Sequence, residues 1–250
     1  MLVAFAVGAL LLVSLASMIS GSMAVTRKSN NSLLAYNAAS AALDLIGTDL
    51  ESLAATRQPF EYLQIGNESV TGGSNTAKLM FLTISANDIT TNTADNGQTR
   101  AVMYRLAAQD VIKTGGTNIT HGLFRFCETN AGVVFTNYLG QTNLAVAAGF
   151  SLPANNADYL AGSIIDLQVR LYPPGSQVPI NTSVVNVVRM GGAGVTVDSA
   201  ANTNQIATAE VTLTVLEDAG EKMLKNGKSL DDVRKKFSHT LSRKVMLRTP

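Results

Sequence analysis

The sequence predicts an α+β chain, with a long N-terminal helix packed on a mostly antiparallel β-sheet domain. Three observations predict it. Met1 to Thr26 contains no charged side chain. The stretch that follows repeats apolar residues seven positions apart. The middle of the chain is then built from short apolar runs separated by Asn, Thr, Ser and Gly, the punctuation of β-strands and turns.

The N-terminal run is apolar all round. Leu2, Val3, Phe5, Val7, Leu10, Leu11, Leu12, Val13, Leu15 and Ile19 are spread over every face, and Arg27-Lys28 close it. A membrane-spanning helix needs roughly 20 largely apolar residues, so these side chains are the expected membrane anchor. Beyond Lys28 the chain becomes amphipathic without a break. Tyr36, Leu43 and Leu50 are seven apart, with Ala39, Ile46 and Leu53 seven apart between them. That is the spacing of a seam buried along one side of a helix. No proline occurs before Pro59, and Ala38 to Ala42 favours helix. The expectation is one helix of about 55 residues, on the order of 80 Å long. Residues 1–26 would be its membrane-spanning half and 27–58 its amphipathic packing half. Asp44, Asp49 and Glu51 are assigned to the outer, solvated face.

A cleavable signal peptide is the competing reading, with Ser22-Met23-Ala24 as the small-residue site. No positive charge precedes the apolar run, and the run exceeds an ordinary core of roughly 7–15 residues. The amphipathic pattern also continues straight through the site, so retention is expected.

Residues 59–216 read as the β-rich domain. The expected strands are Leu79–Ile84, Ala101–Leu106, Leu123–Glu128, Ile164–Tyr172, Ser183–Arg189 and Thr208–Leu216. The last alternates clearly, with Val211, Leu213 and Val215 on one face and Glu210, Thr212 and Thr214 on the other. Ser85–Thr99 and Gln109–Thr120 read as polar loops. Met190 to Gly194 reads as a connection needing residues free to take positive φ. Thr136 to Ala148 fits a short helix or a pair of irregular strands equally well.

Residues 217–250 form the tail. Glu217–Asn226 is expected to be a helix ended by Gly227. Ser229 would cap a second helix running to Phe237, with Asp231 and Asp232 in its first turn. Arg243–Arg248 would be a closing strand.

Composition excludes more than it assigns. Net charge is +1 and only 15 % of residues are charged, so there is no chain-wide surface for nucleic acid. The tail from Glu217 holds nine Lys/Arg against five Asp/Glu, a bias read as a solvated helix face and edge-strand charge. Cys127 is the single cysteine, so neither an internal disulfide nor a cysteine zinc site can form. His121 and His239 have no neighbours suggesting a metal pair or triad and read as exposed or turn histidines. Gly191–Gly194 lacks the spacing of a phosphate loop. Asp88, Asp95 and Asn96 offer oxygen ligands of the type calcium takes, but a polar loop seldom uses them so, and no metal site is assigned. No catalytic residue, cofactor or small-molecule substrate is expected, and the chain is not read as an enzyme.

Met1-Leu2-Val3-Ala4, running into an apolar and then an amphipathic helix, resembles the start of type IV pilin-like proteins just downstream of their processing site. Ala101-Val102-Met103-Tyr104-Arg105-Leu106 followed by Gly122-Leu123-Phe124-Arg125 resembles paired strands of the J-type minor pseudopilins of type II secretion. Ile164 to Gly175 and Ala209 to Val215 resemble later strands of that branch. The tail helices and Ser242 to Arg248 resemble the prepilin-like group called Verru-Chthon cassette protein C. The resemblance implies a structural subunit held in the inner membrane by a single span, with its globular domain in the periplasm. It implies other pilin-like subunits as partners, assembly by helix bundling, and a place at or near a filament tip. It also implies a leader, a processing site leaving a methylated Phe, and an acidic assembly residue, all upstream of Met1. A membrane-tethered or exported binding domain of adhesin or lectin type is the alternative reading.

Overall fold

The computed structural model describes residues 2–54, 61–69, 75–84, 99–108, 120–128, 130–144, 157–180, 187–191, 194–198, 200–202 and 205–247. Helix α1 (Leu2–Glu51) is continuous. It is followed by β1 (Glu61–Ser69), β2 (Asn75–Thr83), β3 (Arg100–Ala108), β4 (His121–Glu128), α2 (Ala131–Asn137) and β5 (Ala157–Tyr172). Then come β6 (Val188–Gly191), β7 (Gly194–Val197), β8 (Ala200–Asn202), β9 (Thr208–Leu216), α3 (Asp218–Lys225), α4 (Leu230–Phe237) and β10 (Ser238–Met246).

The strands form one antiparallel sheet in the order β10-β9-β5-β4-β3-β2-β1-β6-β7-β8. The centre is a meander from β1 to β5. Later strands extend it at both edges, β6 to β8 beside β1, and β9 and β10 beside β5. The α+β class expected from the sequence is the one observed.

Strand β5 joins two parts of the sheet, pairing with β4 near its start and with β9 from Ile164 onward. The transfer occurs at a bulge where Ser163 takes φ 60°, a left-handed conformation uncommon for a residue with a Cβ. Its hydroxyl donates to Glu221 Oε1 at 2.6 Å, which ties the bulge to α3. The sheet also curls. Thr76 on β2 donates through Oγ1 to Leu167 O at 3.1 Å and accepts from Leu167 N at 3.2 Å. A side chain thus bridges two strands that are not neighbours in the sheet order.

Helix α1 crosses one face of the sheet from β10 to β2. Ser32 meets His239 on β10, Asp49 meets Tyr104 and Arg125 on β3 and β4, and Leu53 bridges to Thr83 on β2. The main core lies between, where Ala39, Leu43, Ile46 and Leu50 pack with Phe81, Val102, Leu123, Val169, Val211 and Leu213. On the opposite face, α2 covers Met80, Met103 and Phe126 with Val134 and Tyr138. Helices α3 and α4 cover Ile165 and Leu216 with Leu224 and Val233.

Several elements depart from the sequence expectation. β1 is a strand although Glu61-Tyr62-Leu63-Gln64-Ile65-Gly66 lacks a β-type composition, because β2 and β6 hold it on both sides. Within the doubtful 136–148 stretch, Thr136 and Asn137 belong to α2, which starts earlier at Ala131, capped by Asn130 Oδ1 accepting from Gly132 N and Val133 N. The closing strand starts at Ser238, directly after α4, because it pairs with β9 in unbroken register from Ser238↔Leu216 to Met246↔Thr208. Of the expected strand Ser183–Arg189, residues 183–186 lie outside the described residues, and Val188 and Arg189 belong to β6. The tail helices follow their signals. Gly227 has φ 79° after α3, and Ser229 Oγ accepts from Asp232 N at the start of α4.

Candidate assembly surface and helix–sheet junction

Helix α1 has two environments. Its C-terminal half is covered by the sheet, with Ala39, Leu43, Ile46 and Leu50 buried, while Leu53, expected in the helix, is buried beyond its end at Glu51 in a bridge to Thr83. Its earlier part is not covered. Leu11, Leu12, Val13, Leu15, Met18, Ile19, Met23, Val25, Leu33 and Leu34 are all exposed. Tyr36 differs from the rest of the expected seam and is 50 % exposed, lining an open groove beside β10 instead of entering the core. Leu2, Val3, Phe5, Val7 and Leu10 have side chains outside the described residues. Among the described residues, no helix is long and apolar enough to cross a membrane.

Where α1 leaves the sheet, a groove of about 530 Å³ is lined by Val25, Ser29, Ser32, Leu33, Tyr36, Glu217 and His239. His239 Nε2 lies 3.0 Å from Ser32 Oγ and 2.8 Å from Glu217 Oε1. This histidine, expected to be exposed or in a turn, bridges helix and sheet at the start of β10. His121 also departs from its expectation. It is buried at the start of β4, where the antiparallel ladder with β3 and β5 encloses it. Among the described residues no group of His, Cys, Asp or Glu could hold a metal ion. Asp88, Asp95 and Asn96 lie outside the described residues.

The acidic residues of α1 correct the sequence reading most. Asp49 does not face solvent. It is 1 % exposed, and its Oδ2 accepts from Arg125 Nε at 2.9 Å and from Tyr104 OH at 2.5 Å. Burial pushes the Tyr104 hydroxyl well above the usual tyrosine range, and the Asp49 charge adds to that. Burial works against the Arg125 charge, but Tyr104 and Asp49 beside it outweigh that and raise its pKa. A signal for Asp49 was present, since it follows the buried Ala42 by seven residues. It therefore belongs to the covered stripe and needed a partner.

Asp44 and Glu51 are exposed, and both pair with Arg243 of β10. Gly47 makes room for that guanidinium. A Cβ on Gly47 would stand 2.8 Å from both Cδ and Cζ of Arg243, closer than ordinary contact. The junction thus has a buried ion pair toward β3 and β4 and a forked surface pair toward β10. Together they fix the rotation of α1 about its axis and its height on the sheet. Chemically this arrangement holds a rod rigidly on a domain, and it presents no nucleophile, base and oxyanion constellation.

No protein-family model matches the chain. No curated protein matches it. Among solved structures, it is similar to a type IV-like pilin from Thermus thermophilus, at a TM-score of 0.42 and 9 % sequence identity, covering 86 % of this chain and 96 % of that one.

Proposed function

We propose that this chain is a structural subunit of a pilin-like filament, held by α1 in the inner membrane before assembly and bundled through the same helix afterwards. The observation that carries the reading is the division of α1, locked onto the sheet in its C-terminal half and bare and apolar before that. A soluble monomer seldom leaves so many large apolar side chains on one exposed rod. Lipid tails and neighbouring helices are both apolar, so moving the rod from bilayer to bundle costs little. The domain would lie in the periplasm. The strand and tail motifs that resemble J-type minor pseudopilins favour a place at or near the filament tip, with other pilin-like subunits as partners.

The test uses α1 residues that are exposed in the single subunit and lie beyond the uncharged run. Leu33→Asp with Leu34→Asp should leave the circular dichroism spectrum and vesicle association unchanged. Incorporation into the filament or tip complex should be lost. Normal incorporation of that double variant would overturn the bundling role.

A further inference from the structure

At the end of the sheet where α1 leaves it, β9 ends at Leu216 and β10 begins at Ser238, paired to each other. The chain between them is the α3–α4 connection. Asn31 Nδ2 of α1 reaches Asp218 Oδ2 at the start of α3, 3.5 Å away. Thr26, the last residue of the uncharged run, is five residues before Asn31, or about 8 Å along the helix axis. The α3–α4 connection is therefore the part of the domain beside the emerging apolar rod.

This connection carries six Lys/Arg and five Asp/Glu, and what distinguishes it is how many of its lysines are left without an acidic partner. Lys222, Lys225, Lys228, Arg234, Lys235 and Lys236 are all exposed. Lys222 is engaged by Asp218 at 2.6 Å and Arg234 by Asp166 at 3.3 Å. Among the described residues, Lys225, Lys228, Lys235 and Lys236 form no ion pair. The acids nearby are mostly committed. Glu221 is buried and bonded to Ser163, while Asp232 takes part in the Ser229 cap and Asp231 sits beside it in the first turn of α4. Met223, an apolar side chain 41 % exposed, stands between Lys222 and Lys225.

We propose that the α3–α4 connection is a headgroup-binding face, on which Lys225, Lys228, Lys235 and Lys236 contact anionic phospholipid while Met223 enters the interface. It rests on the membrane anchorage proposed above. Its chemistry is that of unpaired lysines held beside a bilayer by an apolar segment, where a lysine at a surface rich in anionic lipid strengthens adsorption by up to roughly fivefold. The face would set the tilt of the waiting subunit, and α1 could not be withdrawn until these contacts broke.

The full chain, reconstituted in vesicles of phosphatidylcholine with or without phosphatidylglycerol, tests this. Flotation reports the anchor, and amide exchange over residues 218–237 reports the face. Expected are flotation with both vesicle types and several-fold slower exchange at 218–237 only with phosphatidylglycerol. Raised salt should reverse that slowing, since exposed charges are screened. So should the combined Lys225→Gln, Lys228→Gln, Lys235→Gln and Lys236→Gln variant, with its circular dichroism spectrum intact. Flotation with equal exchange in both vesicle types overturns the headgroup face and leaves the anchor standing. Protection that follows protein density in neutral vesicles also overturns it and assigns the lysines to a neighbouring subunit. Failure to float overturns the anchor, and the face with it.

Discussion

Arg125 Nε lies 2.9 Å from Asp49 Oδ2, both side chains 1 % exposed, joining the middle of the sheet to the first helix across 76 positions of sequence. An ion pair so deep is not a cheap contact. Both charges lose their water, and their attraction returns that cost only with good geometry and added hydrogen bonds. Tyr104 supplies such a bond. The pair's value lies in specificity, because α1 can satisfy Asp49 at only one height and one rotation on the sheet.

Removing one partner should therefore hurt far more than removing both. Asp49→Leu leaves the Arg125 charge buried without its carboxylate, and a loss of about 3–5 kcal/mol of stability is expected. Asp49→Leu with Arg125→Met should recover most of it. Urea denaturation of the single and double variants measures the coupling, and additive losses would contradict a paired site.

Gly47 predicts a change of sign. Alanine is the better helix former by roughly 1 kcal/mol, but its Cβ would meet the Arg243 side chain. Gly47→Ala alone should be neutral or cost about 0.5 kcal/mol, within what the surface pairs with Asp44 and Glu51 are worth. In an Arg243→Ala background the same change should stabilise by about 0.5–1 kcal/mol. Thermal midpoints of the four proteins decide it.

Four buried tyrosines, Tyr62, Tyr104, Tyr138 and Tyr172, have hydroxyls raised above the ordinary range, and Tyr104 and Tyr138 are raised furthest. Burial, with the Glu128 charge in second place, pushes the Tyr138 hydroxyl up from 10.0 to about 12. Tyr104 is likewise raised, by burial first and Asp49 second. A raised pKa in the folded state means the stabilisation is complete below pH 10 and is lost as pH climbs toward the folded value. Stability should fall from pH 10 to about 12, by up to about 1.4 kcal/mol per pH unit for each tyrosine. Urea midpoints across that range should fall less steeply in Tyr138→Phe. An unchanged slope would mean Tyr138 titrates as it does in the unfolded chain.

What the sequence made legible was whatever depended on local pattern. The alternation of Val211, Leu213 and Val215 marks β9, the heptad spacing from Ala39 to Leu53 marks the covered side of α1, and Gly227 and Ser229 mark helix boundaries. What it hid depended on distant partners. β1 is a strand because β2 and β6 flank it, and β10 starts early because β9 offers a full ladder. Asp49 was assigned to solvent because carboxylates usually go there, and its partner is found only when the chain has folded. His121 was misplaced for the same reason, since burial in a ladder leaves no mark on its neighbours in sequence.

Asp44 and Arg243 are 199 residues apart, and this separation governs the order in which the molecule can be made. The helix is synthesised before every strand of the sheet, and β10 is the last of those strands among the described residues. Until β10 leaves the ribosome, the strand edge that receives Ser32 and Asp44 does not exist, and the apolar seam below them is only partly covered. The apolar seam of α1 is thus made long before its cover is complete. Until then the seam is an exposed apolar stripe beside an unfinished sheet, and this is the stage of synthesis most open to aggregation.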